Sequence, residues 1–186
     1  NMATTYTFPG EEAFDAASNQ LVFTVHDPTL SIAKSVVSPA LPRDGQEPTE
    51  VDAGDPITFK VAASNGRGGK AVAYDVAMTV ALNSLMTAPA ALPSSLCKSS
   101  CTGFTATAVG TPAHSLVFTT DSVASGAKFE VEFVATVIDS AAPNAEIGSI
   151  GLTLDQYDSA AADAPRGGRA GVLPSASPAG SVIVGK

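Results

Sequence analysis

Two stretches of this chain alternate apolar and polar side chains with a period of two, and this pattern limits the available folds more than any other feature. In "AVAYDVAMTVAL" (71–82) the period aligns Val72, Tyr74, Val76, Met78, Val80 and Leu82, and in "AKFEVEFVATVID" (127–139) it aligns Phe129, Val131, Phe133, Ala135 and Val137. Side chains two apart share one face of a β-strand, and helical spacing fits these runs poorly. Each run is therefore predicted to be a strand with one face in a core.

Shorter apolar runs with turn signals between them extend the pattern to most of the chain. They are "QLVFTV" (20–25), "TLSIAKSVVSP" (29–39), "PITFKVAASN" (56–65), "HSLVFTTDSV" (114–123), "IGSIGLTLDQYDS" (147–159) and the final "SVIV" (181–184). No helical pattern separates them, which argues against parallel βαβ construction. The predicted class is all-β, an Ig-like antiparallel β-sandwich. The run at 56–65 and the run at 71–82, joined by "NGRGG", are expected to form a hairpin-like unit, and residues 83–112 read as a long Pro/Ser/Ala-rich insertion.

Composition excludes several function classes. Hydrophobic residues make up 45% of the chain and aromatic residues 6%, with no Trp, so the core must consist mainly of Val, Ala, Leu, Ile and Phe. The net charge is -8, without the clusters of Lys and Arg that nucleic acid requires. No run approaches the roughly 20 apolar residues of a membrane span. The start "NMATTYTFPG" lacks the profile of a signal peptide, so the sequence reads as a mature piece or a fragment.

The two cysteines, Cys97 and Cys101, lie close together in "LCKSSC". A zinc site needs more ligands than two thiols, and His26 and His114 are distant in the sequence. A redox pair would typically be Cys-x-x-Cys beside a βαβ pattern, which is missing here. A small structural disulfide between Cys97 and Cys101, formed in an oxidising compartment, is the preferred interpretation.

The sequence offers little for catalysis, metal binding or a cofactor. Neither His lies in a nucleophile context such as Gly-x-Ser-x-Gly. The acid pairs in "DAGDP" and "DSAAADAP" lack the alternating oxygen ligands and terminal Glu of a calcium loop. "NGRGGK" lacks the Gly-Lys-Ser/Thr ending and the following helix of a phosphate loop. We therefore expect a protein that is not an enzyme and that holds no catalytic residue, metal or cofactor.

An internal similarity indicates how the chain is divided. "NMATTYTFPGEE" (1–12) resembles "LTLDQYDSAAAD" (152–163), with Tyr6 and Tyr157 in register, and each is followed by a polar loop and an apolar run. Chance similarity of two short strands is the alternative. The preferred hypothesis is that residues 1–28 are the closing strands of a preceding repeat, or a donated or exchanged hairpin plus linker. Residues 29–186 would then be one complete repeat.

The run at 29–39 contains a charged residue, Lys34, on the face that is expected to pack on the core. If Leu30, Ile32 and Val36 point inward, then Lys34 points inward with them. One interpretation is an amine whose stem packs on the core while its tip reaches water or an acid. The other is a desolvated, reactive amine.

Four cues give the chain a family resemblance, which covers roughly residues 28–159, with the closing-strand cue lying at residues 1–6. They are an opening strand with Lys34, a strand start of Gly54, Asp55, Ile57 and Phe59, a turn at Asn65 and Gly66, and a closing strand with Asn1, Ala3 and Tyr6. These cues resemble the conserved-repeat Ig-like modules found in tandem in long bacterial, archaeal and algal surface proteins. Relatives of this fold can join their first and last strands by a Lys-to-Asn or Lys-to-Asp isopeptide bond promoted by a buried acid.

The resemblance implies roles for two residues. Lys34 is the isopeptide-type lysine, but Leu152 stands where the closing strand would need Asn, and Glu130 and Glu132 fall on the face opposite the aromatic residues. The bond is therefore not expected within residues 29–186. Asn1 keeps the partner motif, and its lysine would belong to another repeat or chain.

The expected function is that of a structural repeat module of an extracellular filament or cell-surface protein, acting through end-to-end or lateral self-assembly. Its partners would be copies of itself or adjacent repeats, and O-linked glycans could decorate Pro/Ser/Thr-rich stretches such as "TAPAALPSS" and "LPSASPAGS". The alternative is an adhesin-type domain that recognises carbohydrate or protein through its loops.

Overall fold

The computed structural model describes most of the chain. The described ranges are 4–6, 14–16, 26–39, 50–66, 71–89, 91–142, 145–147, 150–159 and 182–184. They contain no α-helix, only one 3₁₀ turn at Ser94–Leu96. The strands are β1 (Thr4–Tyr6), β2 (Phe14–Ala16), β3 (Leu30–Ser38), β4 (Glu50–Val51), β5 (Pro56–Asn65), β6 (Ala73–Ala81), β7 (Met86–Thr87), β8 (Cys97–Ser99), β9 (Thr105–Val109), β10 (Ser115–Val123), β11 (Lys128–Val137), β12 (Glu146–Ile147), β13 (Gly151–Asp158) and β14 (Val182–Val184).

Two antiparallel sheets form the body of the molecule. The first sheet has the order β13-β6-β10-β9. The second has the order β3-β5-β11, and β7 and β8 both pair with the far edge of β11. A small third sheet, β12-β14-β4, contains a parallel pair, β14 with β4. The predicted all-β antiparallel sandwich is confirmed.

The core lies between the two main sheets. The predicted inward face of β11, from Phe129 to Val137, is at most 1% exposed. Across the core, the Phe118 ring on β10 lies 5.6 Å from the Phe133 ring on β11, measured between centroids. Phe59 on β5 stacks on Phe133 at the same distance. Because long alternating strands face each other, their apolar faces fill the space between the sheets without the help of a helix.

The alternation on β6 is interrupted, which the sequence pattern does not predict. Val76, Met78 and Val80 are buried as expected, but the next buried residue toward the N-terminus is Ala73, and Tyr74 is only half-buried. Asp75 between them has φ of 50°, in the left-handed region that Asp tolerates better than most residues. The pairing of β6 with β13 also shifts register beside it. One irregular residue therefore moves the start of the strand onto the other face.

The predicted hairpin of β5 and β6 is wrong. β5 pairs with β3 and β11 in the second sheet, whereas β6 pairs with β10 and β13 in the first. The connection between them therefore crosses from one sheet to the other. Alternation sets which face of a strand is buried and carries no information about which strand is its neighbour.

Residues 83–112, predicted to be an insertion, also contain strands that pair with the main sheets. These strands are β7, β8 and β9, and β9 pairs with β10 from Thr105 opposite Thr119 to Val109 opposite Ser115. In the N-terminal segment, β1 and β2 pair with each other in a two-stranded sheet. The predicted strand at 20–25 lies outside the described residues. The division into residues 1–28 and 29–186 stays a hypothesis.

Candidate functional site

The predicted inward lysine lies where the first and last strands of the sandwich meet. β3 and β13 are the edge strands of the two main sheets on the same side of the sandwich, and they contact each other. The Nζ atom of Lys34 on β3 donates a hydrogen bond to the backbone carbonyl of Ile150, immediately before β13. We call this contact between the two sheets the lysine seam.

The surroundings of Lys34 follow from the period of β3. Leu30 is 8% exposed, and Ile32, Lys34 and Val36 are half-buried on the same face. Burial lowers the pKa of the Lys34 amine, because the charged form loses part of its hydration. Within the described ranges the amine forms no ion pair, and the Ile150 carbonyl accepts its hydrogen bond.

The described part of the seam does not supply the groups of an isopeptide reaction. The inward residues of β13, Leu152 and Leu154, are hydrocarbons and are at most 3% exposed. Glu130 lies on the outer face of its sheet, where Lys128 and Lys60 hold the pKa of its carboxyl below the usual value. Asn1 lies outside the described residues. The assignment of Lys34 and Asn1 to isopeptide-type roles stays a prediction.

The opposite side of the sandwich is closed by different groups. Cys97, the first residue of β8, forms a disulfide with Cys101, which ties the start of β8 to the loop that leads to Phe104. The Phe104 ring lies 6.4 Å from Phe118 of the first sheet and 6.1 Å from Phe129 of the second. We call this contact the disulfide seam, and its aromatic ring joins the two sheets as the Lys34 amine does on the other side.

One further polar contact belongs to the disulfide seam. Thr120 is 2% exposed. Its hydroxyl donates to the Ser100 carbonyl at 2.6 Å and lies 2.9 Å from the Thr102 carbonyl. Because Thr120 is on β10, this contact fixes the loop after β8 to the first sheet. Because this buried hydroxyl is hydrogen-bonded, its burial does not cost the free energy of an unsatisfied polar group.

Asn65, predicted from the sequence only as a turn residue, connects four strands of the sandwich. It is 1% exposed, and its amide group donates to the carbonyls of Ala71 at 2.8 Å and Val123 at 3.0 Å. Its side-chain oxygen accepts a bond of 3.3 Å from the backbone nitrogen of Thr29. One carboxamide therefore connects the start of β3, the end of β5, the start of β6 and the end of β10.

Surface depressions and clusters give few further candidates. A concavity of about 370 Å³ on the first sheet is lined by Asp75, Thr119, Thr120, Asp121 and Gln156, with Ala77. Across the described ranges, no group of three or more His, Cys, Asp or Glu side chains is arranged to hold a metal ion. No helix in those ranges is long and apolar enough to cross a membrane.

Two solved structures, one of them a pilin subunit, have the same fold as this chain. BcpA, the major pilin subunit of Bacillus cereus, matches with a TM-score of 0.51 and 9% identity, over 84% of this chain and 40% of that chain. A protein of Corynebacterium diphtheriae described as membrane-anchored matches with a TM-score of 0.51 and 12% identity, over 85% of this chain and 36% of that chain. No protein-family model and no curated protein matches the sequence.

These comparisons show the fold of the chain. At 9% to 12% identity, residues and activities do not transfer from the matched proteins. The chain spans two fifths or less of the length of either protein, so the match is to a part of each. Both matches agree with the Ig-like sandwich expected from the sequence.

Proposed function

We propose that this chain is a structural repeat module of an extracellular filament or cell-surface protein and that it acts through end-to-end or lateral self-assembly. The observation that carries this proposal is a sandwich whose interior is filled with hydrocarbon and whose two open sides are each closed by a cross-sheet contact, the Lys34 hydrogen bond on one side and the Phe104 ring on the other. Such a body suits a load-bearing role. The fold it shares with the major pilin subunit of Bacillus cereus supports the same role.

The two outer faces differ in a way that favours lateral contact through one of them. In register across β9, β10, β6 and β13, the outer face of the first sheet presents rows of small, uncharged side chains. These rows are Thr107, Val117, Thr79 and Thr153; Thr105, Thr119, Ala77 and Gln156; and Val109, Ser115, Ala81 and Gly151. The outer face of the second sheet carries Lys60, Lys128, Glu130 and Glu132. Asp155 of β13 also lies on the outer face of the first sheet, where the hydroxyls of Thr79 and Thr153 donate hydrogen bonds to its carboxylate. A face on which small side chains predominate can approach a second copy closely and buries few charges.

The proposed compartment follows from the disulfide. A bond between Cys97 and Cys101 persists in oxidising environments such as the cell surface. The repeat would take part in a longer tandem array, with adjacent repeats or copies as partners. O-linked glycans on its Pro/Ser/Thr-rich stretches are part of the same proposal.

An adhesin-type binding role is the second candidate, and the concavity lined by Asp75, Asp121 and Gln156 is the observation that favours it. Carboxylate and amide oxygens can accept hydrogen bonds from sugar hydroxyls. The lining contains no aromatic side chain onto which a sugar ring could stack. This candidate therefore ranks below self-assembly.

Self-assembly is tested on the purified chain by sedimentation velocity and electron microscopy over a concentration series. We expect the fraction of protein in larger species to rise with concentration.

A matched pair of variants then tests the proposed lateral face. Thr107→Glu with Val109→Glu places two charges on β9, where Val109 is 49% exposed, and Ser35→Glu with Val37→Glu places two on β3, where Val37 is 44% exposed.

The two variants should behave differently. Like charges facing each other across an interface are unfavourable, so the β9 variant should associate at least about tenfold more weakly than wild type. The β3 variant should retain wild-type association. Equal association of both variants and wild type would exclude the face of the first sheet as the contact. A wild-type chain that stays monomeric throughout the series would overturn self-assembly itself.

A further inference from the structure

The third sheet depends on its central strand. β14 lies between β12 and β4, with Ile183 opposite both Glu146 of β12 and Glu50 of β4. In the described part of the chain, β12 and β4 pair with no strand other than β14. Two strands of two residues each have little stability of their own, so the third strand makes this sheet possible.

The two outer strands form a slot that is fixed to the core of the sandwich. Val51 of β4 is 6% exposed and Ile147 of β12 is 2% exposed, and both belong to the main apolar cluster. The slot therefore keeps its place whichever strand fills it. Its occupant must be an extended segment that can pair on both edges, and "VIV" consists of the β-branched residues that favour strands.

The covalent connection is long enough for the occupant to come from another copy. β13 ends at Asp158, and residues 159–181 precede β14. At about 3.3–3.6 Å per residue, a segment of this length can span up to roughly 80 Å. The long strands of the sandwich, at about 3.3 Å per residue, measure only about 30 Å. The chain length thus permits β14 to fill its own slot or that of a neighbour.

We propose that β14 of one copy fills the slot between β4 and β12 of the next copy, so that strand exchange links copies end to end. This proposal rests on the self-assembly proposed above and names its partner segment. The same backbone pairs form within one chain and between chains, so exchange costs little contact energy and is favoured at high concentration. Each copy donates one strand and accepts one, and this head-to-tail arrangement produces an open chain.

Cysteine cross-linking of the full chain tests the exchange. Glu146→Cys and Ile183→Cys are introduced into separate proteins, one of which carries an affinity tag that changes its mass. Opposite residues of an antiparallel pair have Cβ atoms within about 5.5 Å, close enough for a disulfide after small adjustment. If β14 exchanges, mixing the two proteins and oxidising them yields a mixed dimer whose amount rises with concentration. The double variant, Glu146→Cys with Ile183→Cys, should yield a ladder of linked chains.

A control measures random collision. Ser125→Cys is mixed with Ile183→Cys, because Ser125 is exposed in the turn between β10 and β11 and lies outside the third sheet. The mixed dimer in this control should be at least about tenfold less abundant at equal concentration. Mixed dimers at the control level, together with a double variant that oxidises only as a monomer, would overturn strand exchange.

The outcomes separate this proposal from the proposed function. A chain that assembles in sedimentation while its double variant cross-links only within the monomer would retain the filament role and lose strand exchange. A mixed dimer well above the control, from a chain that forms no extended species, would retain strand exchange and overturn the filament role.

Discussion

On one side of the sandwich the two sheets are joined by the Lys34 amine, whereas on the other they are joined by the Phe104 ring and a disulfide-tethered loop. Water can replace a hydrogen bond to a half-buried amine, but it cannot replace apolar contact or a covalent bond. The lysine seam should therefore open at a lower free energy than the disulfide seam. The strongest contacts lie away from the first and last strands of the sandwich.

The largest expected effect in this comparison comes from Phe104→Ala. The substitution removes a half-buried ring that contacts both sheets, and we expect a loss at the lower end of the range for Phe→Ala, about 3 kcal/mol. The free energy of unfolding is measured by urea denaturation. Phe104→Leu is the matched control and should cost about 1 kcal/mol, since it keeps most of the apolar volume. Equal and small losses in both variants would show that Phe104 does not close this seam.

Removing the disulfide should have the next largest effect. The double variant Cys97→Ser with Cys101→Ser frees a short loop, and the loop-entropy relation gives a loss of about 2 kcal/mol. The loss should appear in urea denaturation, and wild type treated with a reductant should show the same loss. A variant as stable as oxidised wild type would mean that Phe104 and Thr120 hold the loop without help from the bond.

The main strands could be predicted because their faces follow a period of two. That period places Lys34 on the inner face of β3 from the sequence alone, and the structure agrees. It predicts the inner face of β11 for the same reason. β9 escaped prediction because its inward residues, Ala106 and Ala108, are small and alternate with Thr, so the apolar contrast is weak. At a sheet edge, an alanine is sufficient to fill the space.

Contacts between distant segments could not be predicted in the same way. Asn65 binds backbone groups of Thr29, Ala71 and Val123, which carry no sequence signal because every residue has such groups. Likewise, the acceptor of Lys34 is the carbonyl of Ile150, which no motif marks. The alternation on β3 indicates that the Lys34 amine is partly buried and needs a hydrogen-bond acceptor, but it does not identify that acceptor.

The smallest effect is expected at the lysine seam, from Lys34→Met. Methionine keeps the apolar stem, so the variant loses one hydrogen bond and also loses the cost of burying an amine, and the net change should be at most about 1 kcal/mol. Urea denaturation measures it, with Phe104→Ala as the comparison. A loss well beyond about 2 kcal/mol would show that Lys34 is paired with a buried acid or is covalently linked.

The pH dependence of that difference gives a second readout. Burial lowers the pKa of Lys34 below its ordinary value of 10.5, so the unfolded chain binds this proton more tightly than the folded one does. Stability then rises with pH wherever the unfolded state holds more protons. From below the lowered pKa up to 10.5, wild type should therefore gain stability relative to Lys34→Met. A difference that instead moves in favour of the variant over this window would mean that the Ile150 carbonyl stabilises the charged amine more than burial destabilises it.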